Sequence, residues 1–353
     1  MGNHDIIPLL RQLPDAIPAL PLLDTPTMIL LTVILAVLGI TFAVGKYLQA
    51  QPDSTINKGF VRILNNRVQA WWMMYGVMGA TLFFGSQRLP AVLFFFGISF
   101  WALREFITLT PTRLGDHRAL FWVFFIFAPL QYLLVWLGHR SYDTIFGITF
   151  DASQLFTNLI PIYALLFVPA RIALAGDHKR FLERSAKIQM GLYLCVYALS
   201  HAPALLDLKL KANNDELWNG GSAGVLLYFL LVVQLSDVFQ FAWDKLIGNH
   251  IVAPGINATK SWEGFAGGTL SATLAGMGLW WVTPFTPLQA ASMATVLSVM
   301  GFLGSMAMSA IKRDRGVHDY GTLVEGHVGV LDRFDSICFA APVFFHLTRF
   351  FFT

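Results

Sequence analysis

Charge is what this sequence has least of. Asp, Glu, Lys and Arg make up 13% of the 353 residues, against about 25% in an average soluble domain. So few charged side chains cannot cover a globular surface in water, which excludes an ordinary soluble enzyme and a disordered chain. The net charge of +3 comes with no dense basic face, so no nucleic-acid partner is expected. Cysteine is almost missing as well. Cys195 and Cys338 both fall inside apolar stretches and read as small buried hydrophobes, not as a disulfide or a metal pair. Long linkers, low-complexity tracts and clear repeats are absent. Residues 1–26 carry Pro8, Pro14, Pro18 and Pro21 and no basic region followed by an apolar core. They are expected to be a retained, non-cytoplasmic segment and not a signal peptide.

Apolar side chains fill the space that charge leaves: 56% of residues are hydrophobic and 31 are Phe, with a mean hydropathy of +0.59. A bilayer-spanning helix needs about 20 predominantly apolar residues. Ten runs approach that length, at 27–45, 70–87, 89–107, 119–138, 154–174, 188–206, 222–242, 265–283, 288–309 and 337–352. They are continuous rather than alternating, which argues for helices over a β-barrel. The expected fold is therefore an all-α, polytopic transmembrane bundle of about ten spans. Pro90 suits a tight turn between the second and third. The stretch 57–69 mixes Lys58, Arg62 and Arg67 with apolar residues, and reads equally as an interfacial amphipathic helix or a basic loop.

Lys and Arg favour cytoplasmic loops. When alternate loops are assigned to opposite sides, only Arg11, Arg88, Arg140, Lys209, Lys211 and Arg349 of the 24 basic residues fall on one side. The basic side is then cytoplasmic, and both termini lie on the other. With no organelle-targeting sequence, a bacterial inner membrane is the expected location.

The polar chemistry concentrates in two C-terminal windows on the basic side, 237–268 and 309–336. Asp237 interrupts the apolar run Leu226–Trp243, and an ionisable group inside a span marks a functional site by default. Asp244 lies just past that run and reads as a solvated residue. The second window interleaves Lys312, Arg313, Asp319, Asp332, Arg333 and Asp335 with four glycines. Carboxylates with substrate phosphates are how proteins usually hold Mg²⁺, basic side chains match phosphate oxygens, and glycines admit close backbone approach. Composition alone leaves this reading level with that of a solvated loop.

The second window resembles the signature of the phosphatidate cytidylyltransferases, or CDP-diacylglycerol synthases: S-x-x-K-R-x(4)-K-D-x-G-x(3)-P-G-H-G-G-x-x-D-R-x-D. Ser309, Lys312, Arg313, Asp319, Gly321, Gly326, His327, Gly329, Asp332, Arg333 and Asp335 fit at the family spacing. In the first window Asp237, Phe241, Gly248, Lys260, Ser261, Glu263, Gly264, Gly267 and Gly268 occupy corresponding places. The match covers roughly the last 120 residues. It divides the chain into N-terminal membrane helices at 27–210 and a catalytic membrane region at 211–353 with cytoplasmic-face loops.

The resemblance implies an integral membrane nucleotidyltransferase of phospholipid biosynthesis that converts CTP and phosphatidate to CDP-diacylglycerol and pyrophosphate. It implies Mg²⁺ held by Asp237, Asp319, Asp332 and Asp335, with a second cation such as K⁺ as an open addition. Asp319, Lys312, Arg313, Asp332, Arg333 and Asp335 are the implied catalytic set. Lys260, Ser261, Glu263, Ser309, Gly326, His327 and Gly329 are the implied substrate-binding set. A homodimer is open. The chain departs from the family at His318 for Lys, Glu325 for Pro, Val328 for Gly, Asp244 for a common Gly, and Asn257 to Thr259 for most of a Ser-Pro-Lys segment. It is thus a divergent member. A cytidylyltransferase or CTP-dependent kinase acting on another lipid phosphate or lipid alcohol, or a catalytically weak homologue, stands as the alternative.

Overall fold

A computed structural model describes residues 23–50, 58–84, 88–109, 112–138, 141–143, 149–212, 216–317, 320 and 329–353. Among them the chain forms ten helices of 17 residues or more. These are α1 (Thr25–Ala50), α2 (Lys58–Phe84), α3 (Leu89–Thr108), α4 (Leu114–Leu137), α5 (Ala152–Ala173), α6 (Phe181–Asp207), α7 (Ser222–Ile247), α8 (Trp262–Gly278), α9 (Pro287–Arg315) and α10 (Leu331–Phe352). The only sheets among the described residues are two hairpins, β1 (Ser141–Asp143) with β2 (Thr149–Asp151) and β3 (Ile251–Ala253) with β4 (Asn257–Ser261).

The all-α membrane class is thus established. Among the described residues each of the ten apolar runs falls mainly on one helix, the run 265–283 continuing past Gly278 into a short turn at Trp280–Val282, and seven helices (α1, α3 to α7 and α9) are long and apolar enough to cross a bilayer. The other three are α2, α8 and α10. Of the two readings of the stretch 57–69, the loop is set aside for its described residues: from Lys58 the backbone runs helically to Phe84. No proline interrupts it, so helix propagation costs nothing extra there. Pro90 opens α3 at its first turn, where its missing N–H leaves no bond unmade. Cys195 and Cys338 are buried and unbridged.

Helix α7 runs through the centre of the C-terminal half and packs on α8, α9 and α10. Its contact with α8 depends on the absence of side chains. The buried positions of α8 are Gly264, Gly268, Ala272 and Gly276, one every four residues. In a bilayer, where helices gain little by hiding apolar surface, such a small-residue stripe lets backbones approach closely. A methyl group on Gly268 would lie 2.7 Å from Gln240 Cα.

The loops gather at two ends. At one, Arg113 pairs with Asp177 at 3.1 Å, Arg184 with Asp116 at 2.8 Å and Arg315 with Glu183 at 3.9 Å. At the other, Arg88 pairs with Asp207 and donates to the Trp136 carbonyl at 2.9 Å, while the Lys211 amide donates to the Phe352 carbonyl at 2.7 Å. For these described residues the grouping follows the sequence division, with Arg113, Arg184 and Arg315 at one end and Arg88 and Lys211 at the other.

Candidate active site

The basic end is where α7 finishes, the β3–β4 hairpin folds over, α9 finishes and α10 begins. The turn from α7 into the hairpin is fastened by Asp244. Its Oδ1 accepts from the Ser261 amide at 2.8 Å and the Ser261 hydroxyl at 2.6 Å. Ser261 Oγ in turn caps α8 by accepting from the Gly264 amide at 3.0 Å. A Cβ on Gly264 would sit 1.8 Å from Asp244 Oδ1, so the glycine is what admits this carboxylate. Asp244 is therefore a structural tie and not the solvated residue its position suggested.

Glu263 is also bound to the chain itself. Its carboxylate accepts from the Asn249 and His250 amides at 3.3 and 3.1 Å and contacts His250 Nδ1. The His250 ring, with these backbone amides, holds the Glu263 carboxyl down at about 2, well below the usual carboxylate range.

Two hydrogen-bonded carboxylate pairs of different kinds lie deeper. The hydroxyl of Ser336, on α10, donates to Asp237 Oδ2 on α7 at 2.8 Å and lies 3.3 Å from Asp335 Oδ1. Asp237 and Asp335, 98 positions apart in sequence, thus converge on one hydroxyl. One helical turn away, Lys312 Nζ contacts Asp332 Oδ1 at 2.8 Å, and the Tyr320 amide donates to Asp332 Oδ2 at 2.7 Å. Lys312 and Asp332 are only 17% and 6% exposed, so each is the other's main compensation for lost hydration. Lys312 and Asp332 both lie within electrostatic reach of Asp335.

The remaining candidates surround these pairs. Lys260 Nζ donates to Gln240 Oε1 at 3.1 Å and sits 5.9 Å from the Phe302 ring centroid. Ser309 accepts from Asn257 Nδ2 at 3.2 Å. Arg313 Nε donates to the Ile256 carbonyl at 3.2 Å from an exposed position. Arg333 is half-buried on the first turn of α10, and Gly329 is buried just before it. Asp319, Gly321, Gly326 and His327, with the departures His318, Glu325 and Val328, lie outside the described residues.

Asp237 and Asp335 suit a hard divalent cation. Two carboxylates facing one hydroxyl repel each other unless positive charge lies between them, and oxygen donors of this kind are what Mg²⁺ takes. Among the described residues no three His, Cys, Asp or Glu side chains converge. Asp332 is turned to Lys312 and Tyr320, and Asp319 lies outside the described set.

Two residues that a motif reading overlooks belong here. Gln240, fully buried on α7, links Lys260 to Ser298, its Nε2 lying 3.5 Å from Ser298 Oγ. Glu105, on α3, is 4% exposed and accepts from the Val330 and Leu331 amides at 3.0 and 2.8 Å. The signal for Glu105 was the one that singled out Asp237: a carboxylate inside an apolar run.

A family model for the cytidylyltransferase family matches residues 65–351. An uncharacterized protein, YnbB, of Escherichia coli K12 is 35% identical over 285 residues, covering 80% of this chain and 87% of that protein. The phosphatidate cytidylyltransferase of Staphylococcus aureus COL is 34% identical over 120 residues, 33% of this chain and 46% of its own length. That of Staphylococcus epidermidis RP62A is 37% identical over 128 residues with the same two coverages, 33% and 46%. The match thus spans under half the length of these staphylococcal relatives. With most of the chain matched and the described signature residues at one end of a membrane bundle, the chain belongs to the cytidylyltransferase family.

Proposed function

We propose that this protein transfers CMP from CTP to a lipid phosphate, with phosphatidate as the first substrate, forming CDP-diacylglycerol and pyrophosphate. The observation that carries this reading is the convergence of Asp237 and Asp335 on Ser336, one turn from the Lys312–Asp332 pair, at the basic end of a membrane-spanning bundle. A phosphoanhydride between the lipid phosphate and CMP forms as a lipid phosphate oxygen attacks the α-phosphorus in line, and the bond from that phosphorus to the β-phosphate oxygen breaks, releasing pyrophosphate. That nucleophile is already anionic at neutral pH, so no strong general base is needed. Positioning and electrostatics carry the rate, as in phosphoryl transfers generally.

Lys260, Lys312, Arg313 and Arg333 are the proposed phosphate holders. Lys312 would exchange part of its contact with Asp332 for a phosphate oxygen, which keeps it compensated in both states. Asp237 and Asp335, with Asp332 and Asp319, are the proposed holders of Mg²⁺, whose chemistry when bound is to offset the triphosphate charge. Gly326, Gly329 and His327 would line the nucleotide phosphates. We place the basic end at the cytoplasmic face of a bacterial inner membrane, where CTP is available, with both termini opposite.

The test is purified protein with labelled CTP, phosphatidate and Mg²⁺. The expected products are lipid-linked CMP and pyrophosphate in equal amounts. Release of CDP with a phosphorylated lipid would replace this reading with a CTP-dependent kinase. Absence of any labelled lipid from a well-folded sample, across phosphatidate and related lipid phosphates, would overturn it.

A further inference from the structure

Helix α10 carries Asp332, Asp335 and Ser336, and its N-terminus is not capped by its own sequence. The N-cap residue is Val330, whose side chain has no acceptor. The first amide groups of a helix have no partner inside it, and burying them without one is costly. The acceptor comes from another helix. Glu105, near the end of α3, takes the Val330 amide on Oε1 at 3.0 Å and the Leu331 amide on Oε2 at 2.8 Å, from 225 and 226 positions away. The Trp101 indole, one turn earlier on α3, donates to Oε1 at 3.1 Å and fixes the carboxylate plane. Glu105 is 4% exposed and Leu331 fully buried, so water offers no substitute for these bonds. Because both oxygens are used, both the height and the rotation of α10 relative to α3 are set. Asp332 and Asp335 follow within five residues of the second bond.

We infer that Glu105 is a positioning residue for the reacting site: by capping α10 from α3 it sets the register in which Asp335 meets Asp237 and Asp332 meets Lys312. It touches neither nucleotide nor lipid. Its carboxylate also occupies the one place where a bare helix N-terminus would attract a phosphate, so substrate phosphates are left to the Lys and Arg side chains. This rests on the proposed function for what is positioned, and on the hydrogen bonds alone for the cap.

Glu105→Gln separates the two. A carboxamide has one oxygen and presents an NH₂ to the second amide, so one of the two bonds is lost without loss of volume. Hydrogen exchange of the 329–336 segment reads the cap. Mn²⁺ binding, followed by its electron paramagnetic resonance signal without nucleotide, reads the placement of the carboxylates. We expect faster exchange in that segment and Mn²⁺ affinity weaker by about 10- to 100-fold, the usual range for residues that orient metal ligands. Turnover should fall with an increased Mg²⁺ requirement while KM for CTP at saturating Mg²⁺ stays near wild type. Glu105→Asp, which keeps two acceptor oxygens on a shorter arm, should recover part of the Mn²⁺ affinity. Unchanged exchange in Glu105→Gln overturns the cap. Faster exchange with wild-type Mn²⁺ affinity overturns the positioning role. Wild-type protein that neither binds Mn²⁺ nor forms product would overturn the proposed function instead, whatever the exchange result.

Discussion

Lys312 on the last turns of α9 and Asp332 on the first turn of α10 meet at 2.8 Å with 17% and 6% of their side chains exposed. The pair closes the gap between two helices at the point where the proposed nucleotide site opens. Removing one member leaves the other charged and poorly hydrated, a loss on the order of 3 kcal/mol. Lys312→Met and Asp332→Asn should therefore each lower the thermal midpoint in detergent. The double variant should be more stable than the sum of the two losses implies. Strict additivity across that cycle would show that the two side chains do not compensate each other.

Asp237 and Asp335 face the same hydroxyl, and their replacement should separate ligands from supports. Asp237→Asn and Asp335→Asn are expected to reduce CMP transfer by more than about 100-fold, beyond the 10- to 100-fold typical of residues that only orient a metal ligand. Ser336→Ala should fall within that lower range. Initial rates at saturating CTP and Mg²⁺ decide the order, and retained activity in both Asn variants would remove them from the metal site.

The close contact of α7 and α8 predicts where a single methyl group is harmful. Gly268→Ala places a carbon 2.7 Å from the Gln240 backbone, and Gly276→Ala one 3.0 Å from the Tyr228 hydroxyl on α7 and 2.4 Å from Ala294 Cβ on α9. Each should cost about 1–3 kcal/mol through overpacking. Gly278 has open space around the same position, so Gly278→Ala is expected to leave the midpoint unchanged. Equal shifts in all three variants would contradict the stripe.

Glu263 has a carboxyl lowered to about 2 from an ordinary 4.5, first of all through the His250 ring. A group whose folded value is depressed stabilises above its unfolded value and loses that contribution as pH falls toward the folded one. The turn joining α7 to the hairpin should therefore loosen between about pH 4.5 and 2, read by the emission of the half-exposed neighbour Trp262. Glu263→Gln should show a loosened turn already at neutral pH and little further change on acidification. A wild-type response in that variant would assign the transition to another group.

Much of this architecture is legible in the chain because it rests on local statistics. Apolar runs of bilayer length, the position of Pro90 and the division of basic residues between two loop sets are each one-dimensional signals. The structure reproduces them as helices, as a proline in the first turn of α3 and as polar contacts of basic residues at two ends. The order and spacing from Ser309 to Asp335 are likewise readable in one dimension, and the family match agrees with them. The sequence left residues 57–69 open between helix and loop because basic residues suit either, whereas the structure runs one helix from Lys58 to Phe84, since nothing in the backbone chemistry stops it there.

Partnership was not legible. Spacing could place Asp332 and Asp335 on one helical turn, but only packing turns Asp332 to Lys312 and brings Asp335 to Asp237 through Ser336. Asp244 looked solvated until the hairpin returned Ser261 to it, and Glu105 acquires its role from amides 225 positions later. The sequence by itself determined that this is a membrane helix bundle with its family motif residues concentrated toward its C-terminus, since hydropathy and motif spacing are properties of neighbouring residues. Which carboxylates face each other, which are tied to the backbone and which helix caps which was decided by the tertiary structure, because hydrogen bonds form between atoms that are close in space regardless of their distance along the chain.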